Sequence, residues 1–212
     1  NAYDSNDRVL SQKYGDYTGF YEYTTQDIHA NDTIDTPWTG EVIGTYVTKN
    51  RAKDRSGNIT DYSYDRMWNV LERTSDGITM KYTYDSLGQL IEEILPNGNG
   101  TKYTYDSLGN KTTIRKKSDM QSPDSIMDIV MTMTYTGTIN TLESLIDPRG
   151  HLTTFESDEK WNITKITKHA TTNTPESIET FVYDARGYLI SKTDANGNIT
   201  TYEYNALGKP TK

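Results

Sequence analysis

The sequence contains no cysteine, which excludes a disulfide framework and any thiolate metal site. Only 33% of its residues are hydrophobic and the mean hydropathy is −0.80. A compact globular domain is nearer half apolar, so no thick core is expected. Helix formers are scarce too, with 7 Ala and 11 Leu in 212 residues, and no i, i+3, i+4 apolar pattern runs beyond two turns. No run approaches the roughly 18 consecutive apolar residues of a membrane-spanning helix. The opening NAYDSNDRVL lacks the charged-then-apolar pattern of a secretion signal. Positive charge is also short: 22 Lys+Arg against 30 Asp+Glu give a net charge of −8. That balance disfavours nucleic acid as a partner, and the one basic knot, Arg115-Lys116-Lys117, is closely followed by Asp119 and Asp124.

What the chain has instead is 17 Tyr, 33 Thr and 11% aromatic residues. Disordered chains are poor in aromatic and β-branched residues, so this one is ordered but thinly layered. The aromatics recur. KYTYDSLGQL (81–90), KYTYDSLGNK (102–111), FVYDARGYLI (181–190) and YEYNALGKPT (202–211) share a Tyr-x-Tyr-Asp-x-x-Gly core, with weaker copies at 1–10, 20–28, 62–71, 134–142 and 155–163. The motif residues are Tyr64, Asp65, Tyr84, Asp85, Gly88, Tyr105, Asp106, Gly109, Tyr183, Asp184, Gly187, Tyr204 and Gly208. Their spacing sets a unit of 20 to 22 residues, the mark of a repeat architecture. About nine units fill residues 1–212 as a single repeat domain, with insertions expected near 24–55, 115–130 and 168–178.

A second turn mark falls midway between the Tyr-Asp marks, at RSGNIT (55–60), SDGIT (75–79), PNGNGT (96–101), PRGHLT (148–153) and ANGNIT (195–200). Two turns separated by runs of about six residues make each repeat a pair of antiparallel strands. In Asp85-Ser86-Leu87-Gly88 the carboxylate at the turn's first position accepts a backbone N–H two residues on, and Gly takes the last place, giving a type I turn with a glycine bulge. Trp68 and Trp161 replace that glycine, each followed by an asparagine, Asn69 or Asn162, a residue that tolerates positive φ. Asn97-Gly98 and Asn196-Gly197 are the strongest short hairpin signals. Strand alternation puts Tyr82 and Tyr84 on one face, and Leu90, Glu92 and Ile94 together on one face of the next strand. Aromatic and Thr pairs stacked from repeat to repeat contribute about 0.2 to 1 kcal/mol each, enough in sum to hold a sheet without a deep core. SIMDIVMTMTY (125–135) reads as one long strand with a core-filling Met stripe, and Pro123 to Asp128 offers one helical turn at most.

The Tyr-Asp core with Gly three residues on, followed by a second Gly-containing turn, resembles the YD or Rhs repeat. That repeat occurs in Rhs polymorphic toxins, bacterial wall-associated proteins, shell components of insecticidal toxin complexes and teneurins. Residues 84–117 and 183–209 carry the resemblance most closely. It implies an all-β fold: an elongated, curved ribbon of antiparallel β-hairpins, part of a larger shell-like spiral. It also implies a non-catalytic structural segment of a secreted or surface bacterial protein, with the rest of the same polypeptide, including a C-terminal toxin, as partner. The stretch is expected to be a piece of a longer chain, with any signal elsewhere. Asp147-Pro148-Arg149-Gly150 matches only the start of the terminal plug signature of toxin-bearing relatives and reads as an ordinary turn.

Other chemistry finds little support. His29, His151 and His169 lie far apart in sequence and are expected to serve surface or packing roles rather than to bind a metal. Asp194 to Asn198 places its glycine fourth, where a calcium loop needs it sixth. Adjacent acids such as Glu92-Glu93 face opposite sides of a strand, so they form no catalytic dyad. No enzyme and no cofactor is expected. The alternative function is carbohydrate binding in cell adhesion, with rows of Tyr and with Trp38, Trp68 and Trp161 stacking on the sugars of surface glycans.

Overall fold

The computed structural model describes residues 2–3, 5, 8–14, 17–29, 42–54, 56–137 and 140–211. Trp38 lies outside them, and so does the side chain of His29. Among the described residues the fold is all-β, with seventeen strands. No helix is long and apolar enough to cross a membrane.

The chain forms two compact units: Asn1–Lys102 with Lys116–Ser125, and Tyr103–Arg115 with Ile126–Lys212. The first holds β1 (Ala2–Tyr3), β2 (Val9–Tyr14), β3 (Tyr17–His29), β4 (Val42–Lys53), β5 (Ile59–Tyr64), β6 (Val70–Ser75), β7 (Ile78–Tyr84) and β8 (Leu90–Ile94). Strands β9 (Gly100–Tyr105) and β10 (Lys111–Lys117) contribute residues to both units. The second continues with β11 (Ile129–Tyr135), β12 (Leu142–Ile146), β13 (Leu152–Ser157), β14 (Ile163–Lys168), β15 (Ser177–Tyr183), β16 (Leu189–Thr193) and β17 (Ile199–Thr201). Within each unit the strands pair antiparallel with their neighbours in sequence, which is the meander that two turns per repeat require.

Three stretches depart from the short regular hairpins. The first is the long β3–β4 hairpin. At the second, β10 and β11 are joined by a loop that returns to the first unit, where Met120 donates its N–H to the Gly98 carbonyl at 2.9 Å. At the third, the β14–β15 link is closed by the Thr171 and Thr174 hydroxyls at 2.7 Å.

Three expectations are corrected. The strand read over 125–135 begins only at Ile129, because 126–128 form a turn and Asp128 is held by Arg115 at 3.0 Å. Ile126 and Met127 are therefore fully and largely exposed, and fill no core. No helical turn forms over Pro123 to Asp128. The alternation across the Asp turn is broken by a β-bulge between Thr83 and Tyr84, so Tyr84 faces Leu90 while Tyr82 faces Glu93. Cross-strand partners share a face, so Leu90 sits with Glu93 rather than with Glu92.

The thin layering is plain. Among the described residues Met120 is the single buried apolar side chain and none is fully enclosed. Sheet pairing and turns carry the fold instead.

Candidate functional site

The motif residues converge on the turns. Ten described turns share one hydrogen-bond pattern, beginning at Asp54, Asp65, Asp85, Leu95, Asp106, Asp147, Asp158, Asp184, Asp194 and Asn205. The fourth residue donates its N–H to the first residue's carbonyl at 2.9 to 3.2 Å, and the first donates to the fifth residue's carbonyl at 2.8 to 3.0 Å. The fourth residue carries positive φ, as in Gly88 at 77° and Gly109 at 87°. Both turn marks of the repeat thus build the same device. Asn97-Gly98 and Asn196-Gly197 form hairpins through it, with only the glycine at positive φ; a two-residue turn occurs instead at Asp76-Gly77, where both φ values are positive and Ser75 faces Ile78.

The carboxylate explains why aspartate leads. Asp106 Oδ1 accepts the N–H groups of Leu108 and Asn110, and its Oδ2 accepts the Asn110 side-chain amide, all at 2.9 Å. Asp54, Asp65, Asp158 and Asp194 bind Asn58, Asn69, Asn162 and Asn198 likewise. The asparagine amide is the largest cause holding the Asp54, Asp106, Asp158 and Asp194 carboxyls below their usual range. At Asp147 and Asp184 the main cause is the backbone N–H of His151 and of Tyr188. With both oxygens engaged inside the turn, these carboxylates have little left for a metal, and no group of three or more metal-ligating side chains occurs among the described residues. Asp147 and Asp194 sit in ordinary turns, as their sequences imply.

Trp68 and Trp161 occupy the glycine place and themselves hold φ at 65°, which corrects the expectation that the following asparagine would do so. Asn69 and Asn162 instead cap the aspartate. Their indoles are 58% and 69% exposed.

The tyrosines act as packing groups. Tyr64, Tyr84 and Tyr183 each stand at a bulge opposite an apolar residue, Val70, Leu90 or Leu189. Burial is the main cause raising the phenols of Tyr82, Tyr84 and Tyr183. Tyr62 stacks on Tyr64 with ring centres 6.2 Å apart, and Trp68 meets Tyr64 at 6.3 Å. Tyr188 stacks on Tyr204 at 5.0 Å, and the Tyr204 hydroxyl donates to the Leu189 carbonyl at 2.9 Å. Tyr105, Asp106 and Gly109 belong to the second unit, with the same turn geometry as Tyr84, Asp85 and Gly88 in the first. In the first unit the face opposite the tyrosines carries the exposed ion pairs Arg51–Asp61 at 2.7 Å and Lys81–Glu72 at 3.0 Å and the half-buried pair Lys102–Glu92 at 3.2 Å. Such exposed pairs add little stability but keep that face wet.

His151 and His169 are tied into the sheet. His151 bonds Asp147 at 3.0 Å, and His169 bridges Thr154 at 3.1 Å and Glu176 at 3.5 Å. A 410 Å³ groove is lined by Lys49, Arg51, Asp61, Ser63, Glu72 and Thr74, with the Arg51–Asp61 ion pair in its wall.

Residues 84–118 and 183–212 match the family model described as RHS Repeat. Those two stretches carry the Rhs-repeat pattern. A comparison with curated proteins finds no match. Among solved structures, the chain is similar to one titled Crystal Structure of TcdB2-TccC3-Cdc42, with a TM-score of 0.65 and 18% identity over 99% of this chain. It is similar to Crystal Structure of TcdB2-TccC3, with a TM-score of 0.66 and 18% identity over 96% of this chain. A third, Crystal Structure of TcdB2-TccC3-TEV, gives 0.61 and 13% over 98%. The chain spans 11% of the length of each of those chains. Identities this low establish a shared fold alone, the antiparallel β-meander described above.

Proposed function

We propose that residues 1–212 are one repeat region serving as a non-catalytic wall segment of a secreted or surface bacterial Rhs protein, part of a β-shell that encloses or presents a toxin. The observation that carries this reading is the use of the motif residues themselves. The capping aspartates, turn glycines and tyrosines are consumed by hydrogen bonding and packing within the sheet. The Rhs-repeat match and the similarity to TcdB2-TccC3 chains support it. Electron cryomicroscopy of the longer polypeptide that carries this segment tests it. The expected result is a closed wall containing these strands around a further polypeptide; a free stalk exposed on both faces contradicts it.

A second reading is favoured by one observation. Trp68 and Trp161 are exposed in a strained backbone conformation where glycine costs nothing, so binding of surface glycans by indole stacking accounts for their presence. A glycan array probed with the wild type and with the Trp68→Gly/Trp161→Gly variant decides it. Saturable hits lost in the variant support the reading, and a blank array removes it.

A further inference from the structure

The β3–β4 hairpin is longer than the sheet that holds it. Its strands pair from Phe20↔Lys53 to His29↔Val42. On the flanks, β2 pairs with β3 only over Tyr17 to Phe20, and β5 pairs with β4 only over Lys49 to Lys53. Among the described residues no strand flanks Val42–Val47 on the side away from β3. That stretch lies past the Tyr64-Asp65 turn that bounds β5, so the hairpin runs on as an arm of about 20 Å, at roughly 3.4 Å per residue. A two-stranded ribbon by itself is marginal in water, and its unpaired backbone groups are a template for another strand.

The sequence of the arm's β4 edge matches its topology. Val42-Ile43-Gly44-Thr45-Tyr46-Val47 contains β-branched and aromatic residues, no charge and no proline. Protected edges carry Lys, Pro or inward charges, and this composition is the opposite, that of a segment that pairs with a strand. The β3 edge of the same arm carries Asp27. In a chain of net charge −8, the β4 edge is a place where two copies meet without repulsion.

We propose that Val42–Val47 pairs antiparallel with the same segment of a second copy, forming a two-fold dimer through strand addition at the β4 edge. The segment is self-complementary about Thr45. A two-fold axis there sets Thr45 opposite Thr45, Gly44 opposite Tyr46 and Ile43 opposite Val47. Aromatic residues opposite glycine, β-branched pairs and Thr pairs are all favourable cross-strand combinations. Because the patch is its own partner, the interface closes at two subunits.

Residues 1–212 contain no cysteine, which makes the test direct. Sedimentation velocity over a hundredfold concentration range is expected to show the mass rising from 24.1 kDa to twice that value. Thr45→Lys sets like charges opposite each other and returns the mass to the monomer at the same concentration, with far-UV circular dichroism unchanged. Thr45→Cys, under mild oxidation, cross-links into a dimer on a non-reducing gel, while Thr25→Cys on β3 does not. A monomer at every concentration, with no Thr45→Cys cross-link, overturns the proposal and leaves the arm to residues 30–41 or to a different chain. A dimer that Thr45→Lys leaves intact and Thr45→Cys fails to trap also overturns it, because another surface then makes the contact.

Discussion

Trp161 donates its backbone N–H to the Asp158 carbonyl at 3.1 Å while holding φ at 65°, the arrangement that Gly187 makes with Asp184 at 3.0 Å and φ 86°. One turn geometry is thus made by the largest side chain and by the smallest. An L-residue in this region costs about 1 to 2 kcal/mol that glycine does not.

Trp161→Gly is therefore expected to stabilise the protein by about 1 kcal/mol in chemical denaturation, after allowing for glycine's greater freedom in the unfolded chain. Trp68→Gly gains less, because the Trp68 ring also meets Tyr64. A large loss of stability at Trp161 means that the indole packs in a way the geometry does not contain.

Two glycines separate backbone conformation from space. Gly98 has φ 87° and open surroundings, whereas Gly100 is buried, with the Glu93 carbonyl oxygen in the way of a Cβ and Met120 Cγ 2.9 Å from it. Gly98→Ala is expected to cost about 1 kcal/mol, from φ alone. Gly100→Ala is expected to cost about 3 kcal/mol, from overpacking. Thermal or urea melts of the two variants check the order, and equal losses contradict it.

The capped carboxylates predict acid sensitivity with a definite sign. Asp54, Asp106, Asp147, Asp158, Asp184 and Asp194 have folded-state values lowered from 3.8. A lowered folded value means that the stabilisation is fully present above the unfolded value and is lost as pH falls through the folded one. The melting temperature should be level near neutrality and fall below about pH 4. Asp106→Ala should lower the melting temperature at pH 7 more than Asp106→Asn, since Asn205 already accepts the Leu207 and Lys209 N–H groups at 3.0 Å in the same role.

Much of this was legible in the sequence, and the gaps have physical causes. Period, antiparallel pairing and the lack of a core follow from where Tyr, Asp and Gly fall, because strand spacing and turn chemistry are local. The identity of the two turn marks was also within reach: Asp54-x-x-Gly57-Asn58 and Asp106-x-x-Gly109-Asn110 share one spacing. What stayed hidden is nonlocal or a competition of small terms. The bulge opposite Tyr84 reverses the faces of β8 through pairing with another strand. Intrinsic preference gives the positive φ to Asn69, but Trp68 holds it while the Asn69 amide bonds Asp65 at 2.9 Å. The strand over 125–135 starts late because Asp128 is claimed by Arg115, a contact with no trace in local alternation.

The central claim is that the repeat residues serve the sheet and not a ligand, and Tyr84→Ala tests it most directly. Tyr84 is half-buried opposite Leu90, so its truncation is expected to cost about 2 kcal/mol, somewhat less than a fully buried aromatic. The measurement pairs a urea denaturation curve with a glycan array on the same two proteins. A clear drop in the midpoint with no glycan hits for either protein is the predicted result. Unchanged stability together with glycan binding lost in the variant would contradict it.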